Sequence, residues 1–183
     1  MAISSSARRT VAPLSTRPFK ALLAGALALA GASVAAQGLF DSMRDASGAG
    51  RPGGYVFVSQ QVSDTSLIPL ARDAERAGLT IVLNGFWGDL NATMRRVARV
   101  NETCCGRRGA RWQINPLLFQ RYRVTEVPSF VLAVGPGAGA QDFSMVTGEM
   151  SVSDALKTFA QQSKLPAVRR LAAMTYTKAF ASQ

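Results

Sequence analysis

The sequence contains no histidine and only two cysteines, which are adjacent at Cys104 and Cys105. Histidine is the usual general base beside a serine or cysteine nucleophile, so its absence argues against hydrolases of the Ser-His and Cys-His classes. No Gly-x-Ser-x-Gly nucleophile elbow occurs either. Two adjacent cysteines without other soft ligands do not make a zinc site. We therefore expect no catalytic residue, no metal site and no cofactor.

Acidic residues are also scarce, with 11 Asp and Glu against 21 Lys and Arg, and none precedes Asp41. The N-terminus instead combines basic residues with the apolar run Ala21–Ala32. As a helix this run would span about 18 Å, too short for a hydrocarbon core of about 30 Å. Small residues at Val34 and Ala36 fit signal peptidase. Residues 1–36 are thus predicted to be a cleavable signal peptide, which implies a periplasmic protein without a stable membrane anchor. The Arg8-Arg9 pair leaves export by the Sec or the twin-arginine route open.

Cleavage after Ala36 would leave 17 basic and 11 acidic residues, a net charge of +6. The remaining length suits one domain. Residues 37–54 are rich in Gly, Ala and Ser and are predicted to be a flexible leader. We expect the domain at residues 55–163 and a C-terminal helical extension at residues 164–183.

Hydrophobic periodicity predicts alternating strands and helices after the leader. The first helix is expected to begin at Ser66, with Pro69 in its first turn, and to end at Gly78. The second is expected to begin at Asp89. Its predicted apolar stripe is Leu90, Met94, Val97 and Val100. The strands are predicted at residues 55–59, 79–84, 112–114, 129–134 and 142–146.

A short helix is predicted after Asn115-Pro116, a later core helix is predicted to begin at Ser151 or Ser153, and an amphipathic C-terminal helix follows Leu165-Pro166. A β-α-β-α-β half followed by a β-β-α half has the layout of the thioredoxin fold, with a mixed central sheet between helices on both faces. The pattern by itself establishes the α/β class.

The stretch Trp112–Leu132, WQINPLLFQRYRVTEVPSFVL, resembles the F-type TrbC family, periplasmic proteins needed for pilus assembly in bacterial conjugation. Ile114–Phe119 is similar to the family's apolar-x-x-P-x-x-F pattern, and Val127-Pro128 is similar to its V-P before a strand. The resemblance covers about residues 55–160. It implies a thioredoxin-like fold, a periplasmic location, and an assembly role in an F-type conjugative type IV secretion system rather than catalysis.

The C-x-x-C motif that a thiol oxidoreductase of this fold needs is missing. Ser59, Gln60, Gln61 and Ser63 occupy its expected place. Cys104 and Cys105 lie instead in the predicted loop after the second helix, and their Cα atoms, about 3.8 Å apart, are closer than in ordinary disulfides. These disulfide candidates could pair locally, cross-link to a partner, or form a redox switch among nearby arginines.

Val127-Pro128 is a candidate partner-binding position. In thioredoxin-like folds the peptide bond before this proline is commonly cis, and the preceding residue offers its backbone to an extended peptide. The resemblance therefore implies a peptide lying across Val127 and the Gln60-Gln61 loop. The alternative is a proline that only shapes a turn.

A basic patch is predicted between residues 95 and 111, where Glu102 is the single acid. Its arginines are Arg95, Arg96, Arg99, Arg107, Arg108 and Arg111. The patch could be a solvated face, an acidic partner's binding surface, or a site for anionic lipid or single-stranded DNA, of which nucleic acid is the weakest alternative because aromatic residues are not interleaved.

Three functions follow from these features. The first is a non-enzymatic assembly protein that binds other periplasmic proteins of the conjugative apparatus, with the C-terminal helix as a candidate surface. The second is a thiol-disulfide exchange or chaperone-like protein acting through Cys104 or Cys105. The third is a peptide-binding or solute-binding envelope protein unrelated to conjugation.

Overall fold

Five strands form one mixed sheet in the computed structural model, which describes residues 52–135 and 139–181. The strands are β1 (Gly53–Val58), β2 (Thr80–Leu83), β3 (Arg111–Ile114), β4 (Ser129–Ala133) and β5 (Phe143–Thr147). The helices are α1 (Asp64–Ala77), α2 (Leu90–Cys105), α3 (Pro116–Arg121), α4 (Val152–Gln162) and α5 (Pro166–Phe180). The predicted signal peptide and most of the predicted leader lie outside the described residues. β1 begins at Gly53, two residues before the predicted start of the domain.

The strand order is β3-β2-β1-β4-β5. β1 pairs in parallel with β2, and β2 pairs in parallel with β3. β4 is antiparallel to both β1 and β5. The crossovers β1-α1-β2 and β2-α2-β3 advance across the sheet in the same direction, so right-handed connections place α1 and α2 on one face. This is a thioredoxin-like α/β fold whose edge strand β3 follows α2.

Side chains alternate between two cores along β1. Val56 and Val58 pack into the larger core, to which α1, α4 and α5 contribute. Tyr55 and Phe57 point to the opposite face and pack with α3. Helix α3 therefore covers the face of the sheet opposite α1, α4 and α5. The sheet thus lies between helices on both faces, which is the predicted three-layer arrangement.

Helix α1 begins three residues earlier than the sequence indicates. Its N-cap is Ser63 rather than Ser66, and the Ser63 hydroxyl accepts the amide N–H of Ser66. Pro69 consequently lies inside the helix and not in its first turn. The buried residues of this helix are Leu67, Leu70, Ala71 and Ala74. Gly78 ends the helix, as predicted, at φ 68°, in the left-handed region that suits glycine.

Helix α2 begins at the predicted cap, where Asp89 Oδ1 accepts the amide N–H of Ala92 at 2.7 Å. Its predicted apolar stripe is partly wrong. Val100 is buried, but Leu90 and Met94 are 54% and 57% exposed. Thr93 takes the buried position and is 1% exposed.

The hydroxyl of Thr93 explains this orientation of α2. It donates to the backbone oxygen of Asp89 at 2.8 Å and accepts the amide N–H of Trp87 at 2.7 Å. The bond to Trp87 requires Thr93 to face the loop that leads into the helix. A buried polar side chain therefore contributes to the rotation of α2, and apolar periodicity does not reveal it.

The remaining boundaries agree with the predictions to within a residue or two at most positions. Asn115 caps α3, with Pro116 at its first position, and Ser151 rather than Ser153 caps α4. The C-terminal helix predicted after Leu165 is present as α5. Val168 and Ala172 of α5 are fully buried in the larger core, so the domain itself covers this part of the predicted apolar stripe.

Candidate functional site

The four predicted partner-binding residues lie at the carboxyl end of β1. Gln60 and Gln61 follow β1 after Ser59, and Val127 and Pro128 lead into its neighbour β4. The peptide bond between Val127 and Pro128 is cis. Gln61, Val127 and Pro128 line a groove of about 600 Å³, and Gln60, Gln61 and Val127 line a second cleft of about 420 Å³. The structure therefore brings the two predicted segments together.

The larger groove runs between α1, the loop before β4 and the turn before α4. Its walls are a mixture of hydroxyl groups, apolar side chains and two carboxylates. The lining residues on the α1 side include Ser63, Ser66, Pro69, Leu70 and Asp73. Those on the opposite side include Glu149, Met150 and Ser151.

Asp73 and Glu149 were not identified from the sequence. Partial burial raises the pKa of Asp73 above its ordinary value, an effect that Arg76 and Arg72 oppose. Neither carboxylate has a histidine or thiol beside it, since the chain has no histidine and both cysteines are elsewhere. The described lining residues thus provide no pairing of a nucleophile with a strong base.

Arg96 holds the loop that forms one wall of the groove. Its guanidinium bonds to Asp64 Oδ1 and to the backbone oxygen of Val62, both at 2.7 Å. It also stacks on Trp87, with 4.1 Å between the guanidinium carbon and the ring centroid. Gln60 Nε2 donates to the backbone oxygen of Phe86 at 2.7 Å, which ties the same loop to the one after β2. These bonds preorganise the groove.

The predicted basic patch divides into two kinds of arginine. Arg96 is partly buried and bonded as described, and Arg111 donates to the backbone oxygen of Gly78. Arg95 and Arg99 are exposed on α2, and Arg107 and Arg108 are exposed in the loop after it. These four arginines, together with Arg111, which is also exposed, form the solvent-facing part of the patch.

The two cysteines form a disulfide with each other, and their Cα atoms are 3.7 Å apart. They lie in the last turn of α2 rather than in the predicted loop. Arg72 Nε donates to the backbone oxygen of Cys104 at 3.3 Å. Helix α2 has 16 residues and is about 24 Å long, and it runs from the carboxyl end of the parallel strands to their amino end. The disulfide is therefore at the opposite end of the domain from the groove.

Two absences within residues 52–135 and 139–181 are relevant to the site. No helix in this part of the chain is long and apolar enough to cross a membrane. Within the same residues, no three His, Cys, Asp or Glu side chains are grouped so that they could hold a metal ion.

Comparisons with known proteins give one family. The family model of the type-F conjugative transfer system pilin assembly protein matches residues 56–159. A solved structure that resembles the chain is a secreted Mycobacterium tuberculosis disulfide oxidoreductase homologous to E. coli DsbE, with 15% identity and a TM-score of 0.38. The alignment covers 68% of this chain and 80% of that one. That likeness is too distant to support a functional argument. No curated protein matches the chain significantly.

Proposed function

This chain belongs to the type-F conjugative transfer system pilin assembly family, and from that premise we propose that it is a periplasmic, non-enzymatic component that acts by binding other proteins of the apparatus. The predicted signal peptide supports the periplasmic location. An assembly role in conjugative transfer follows from the family.

The observation that carries the proposal is the separation of the cysteines from the groove. A thioredoxin-like oxidoreductase uses a thiol at the start of the first helix, next to the proline loop. In this chain Gln60, Gln61 and Ser63 are found there, while Cys104 and Cys105 are bonded to each other about one helix length away. The groove thus lacks the thiol pair that dithiol exchange needs, which supports a binding role for it.

Peptide docking at the groove is the finer proposal. The loop before α1 is held by Arg96, and Val127 also lines the groove. A preorganised wall lowers the entropy lost on binding.

Substitution of Gln61 by Trp should fill the groove, whereas Gln162→Trp places the same ring on the exposed end of α4. We expect the first variant to reduce plasmid transfer and the second to leave it unchanged.

A conjugation assay tests the main proposal. A donor strain lacking this gene is complemented with the wild-type chain or with Cys104→Ser/Cys105→Ser, and transfer and pili are both scored. We expect deletion to abolish both, and the double serine variant to restore both. Normal transfer after deletion would refute the assembly role.

The thiol-disulfide exchange alternative gives a different result in the same strains. Arg72, Arg107 and Arg108 near the cysteines would favour thiolates after reduction. If exchange were the function, the double serine variant would fail to restore transfer although the protein accumulated normally. Reduction of insulin disulfides by the purified mature chain, at a rate near that of a thioredoxin, would also contradict the non-enzymatic proposal.

A further inference from the structure

The larger groove is acidic, although the chain as a whole is basic. Asp73 on α1 and Glu149 in the turn before α4 line it, and no lysine or arginine is among its described lining residues. The whole sequence has 21 Lys and Arg against 11 Asp and Glu. The charge of the groove is therefore opposite in sign to that of the chain around it.

The two carboxylates of the groove have no partners of their own. Neither makes a hydrogen bond or an ion pair within residues 52–135 and 139–181. Burial raises the pKa of Asp73 although Arg76 and then Arg72 oppose this effect, so the two arginines do not compensate for the lost solvation of the carboxylate. A cation that entered the groove would compensate for it.

The nearest cations of the chain are directed away from the groove. Arg72 Nε donates to the backbone oxygen of Cys104 at 3.3 Å, which draws this side chain toward α2. Lys157 Nζ donates to Asp154 Oδ1 at 3.3 Å. Arg76 is exposed one turn further along α1 and does not line the groove. The described residues thus supply no cation to the groove itself.

Two helix starts border the groove, and a helix N-terminus by itself favours an anion. Both starts are already satisfied by the chain. The Ser63 hydroxyl accepts the amide N–H of Ser66, and the Ser151 hydroxyl accepts that of Asp154 at 3.0 Å. Asp64 and Asp154 also place a carboxylate in the first turn of each helix. The sign of the groove is therefore decided by the carboxylates in its lining.

Val127 adds an unpaired stretch of backbone to the groove. It is half-buried, and its N–H and C=O make no hydrogen bond within the described ranges. The oxygen of Pro128, by contrast, accepts the amide N–H of Gly148 at 3.0 Å, which ties the proline loop to the turn that carries Glu149. A free donor and acceptor on one residue suit an extended segment that binds by strand addition.

We propose that the groove binds an extended segment of another protein that carries a lysine or arginine, whose backbone pairs with Val127 and whose cation contacts Asp73 and Glu149. This rests on the docking function proposed above and specifies the chemistry of the segment that docks. Backbone pairing supplies affinity for any extended segment, and the two carboxylates select a basic one.

Other occupants fit these features less well. The phosphates of nucleic acid or lipid would be repelled by both carboxylates. A second copy of the chain would make a head-to-tail contact, which continues into filaments unless it closes into a ring. Residues 37–51 of the same chain contain two arginines and two aspartates, hence no net charge, and they precede β1, whereas the groove lies at the carboxyl end of that strand.

Site-specific photo-crosslinking in piliated donor cells tests the occupant. The full chain carries a photoreactive amino acid at position 69, where Pro69 is exposed and lines the groove. A control chain carries it at position 174, where Met174 is 72% exposed on α5. We expect position 69 to give a crosslinked segment of another protein that contains lysine or arginine, and position 174 not to give this product.

Four results of this experiment would overturn the proposal. They are a crosslinked segment without a basic residue, a segment of a second copy, a segment from residues 37–51 of the same chain, and no product while transfer is normal. Crosslinked peptides identified by mass spectrometry distinguish the first three.

Removal of the groove charges provides the second measurement, with the photoreactive residue again at position 69. Asp73→Asn/Glu149→Gln keeps the shapes of the side chains and should lower the crosslink yield at least about tenfold, the change that about 1.4 kcal/mol produces. Glu75→Gln removes a carboxylate from the same helix but outside the groove lining, and should leave the yield unchanged. Equal yields from the wild type and the double variant would refute the basic segment.

Thermal unfolding shows that a lower yield is not a folding defect. Because burial raises the pKa of Asp73, its charged form does not stabilise the fold at neutral pH. Asp73→Asn should therefore keep or raise the melting temperature while the crosslink is lost. A lower melting temperature would instead assign Asp73 a structural role and contradict the proposal.

Transfer frequency separates this proposal from the assembly role. If the wild-type chain restores transfer to the deletion strain and Asp73→Asn/Glu149→Gln crosslinks normally, only the basic-segment proposal is wrong. If deletion of the gene has no effect on transfer, the assembly role itself is wrong. Loss of both crosslink and transfer in the double variant, at normal protein level, supports both.

Discussion

Removal of the Arg96 side chain should destabilise the domain far more than removal of its neighbour. Arg96 is in the predicted basic patch, but three of its contacts are internal: the carboxylate of Asp64, the backbone oxygen of Val62 and the ring of Trp87. Arg95 is exposed and makes no hydrogen bond or ion pair within residues 52–135 and 139–181. Arg96→Ala and Arg95→Ala therefore remove the same charge from adjacent positions with different consequences.

The magnitude follows from the three contacts. An ion pair that is partly open to solvent contributes about 0.2 to 1 kcal/mol, and an exposed cation–π contact about 0.5 to 1 kcal/mol. The charged hydrogen bond to the Val62 oxygen adds about 1 kcal/mol after a discount for its exposure. We expect Arg96→Ala to lower the free energy of unfolding by about 2 kcal/mol. For a chain of this size that lowers the melting temperature by about 6 to 8 °C.

Thermal unfolding followed by circular dichroism measures the effect, with Arg95→Ala as the matched control within about 0.5 kcal/mol of wild type. Arg96→Lys should recover only part of the loss, because lysine lacks the planar fork that bonds and stacks at once. Amide hydrogen exchange at residues 60–64 should be faster in Arg96→Ala. Equal melting temperatures for the two alanine variants would refute the reasoning.

Three further predictions concern single side chains. Burial, and then the nearby Tyr55, raise the pKa of Tyr122 to about 12. Folding stability should therefore decline as the pH rises from about 10 toward 12. Tyrosinate absorbance should show a late titration that is missing in Tyr122→Phe. Ser151→Ala should cost about 1 kcal/mol by removing the cap of α4, measured by denaturant unfolding. The hydrogen bond from the Ser151 hydroxyl is the main cause that lowers the pKa of Asp154, and the bond from Lys157 is the second. NMR titration of Ser151→Ala should therefore show a higher pKa for Asp154. In the wild type, the stability that this carboxylate contributes is lost as the pH falls through its pKa. Gly54→Ala should destabilise by about 1 to 3 kcal/mol because a Cβ there overlaps a packed leucine, whereas Gly53→Ala meets no atom within 4 Å.

Local signals in the sequence predicted the helix ends well. Asp89 and Asn115 have the side-chain oxygen that a cap needs, and Gly78 can adopt the left-handed conformation at a helix end. Ser63 was missed because Ser66 before Pro69 offered an equally good local pattern. Local chemistry alone cannot choose between two serines that are three residues apart.

The site was predicted only in part. The fold class predicts that the Val127-Pro128 loop lies close to the Gln60-Gln61 loop, because the end of β1 is beside the start of β4. Asp73 and Glu149 could not, since they reach the groove from α1 and from the turn after β5. The internal role of Arg96 was hidden for the same reason: its partners are more than 30 residues away in α1 and its preceding loop.

The buried hydroxyl of Thr93 has a consequence for how this domain can change over evolution. Successive residues of a helix are about 100° apart, so a rotation of α2 by one position would present Asn91 and Arg95 where Leu90 and Met94 now stand. A buried residue thereby influences which side chains α2 exposes in its first turns. Substitutions at position 93 should change that exposed surface, and mutational scans restricted to exposed positions would overlook it.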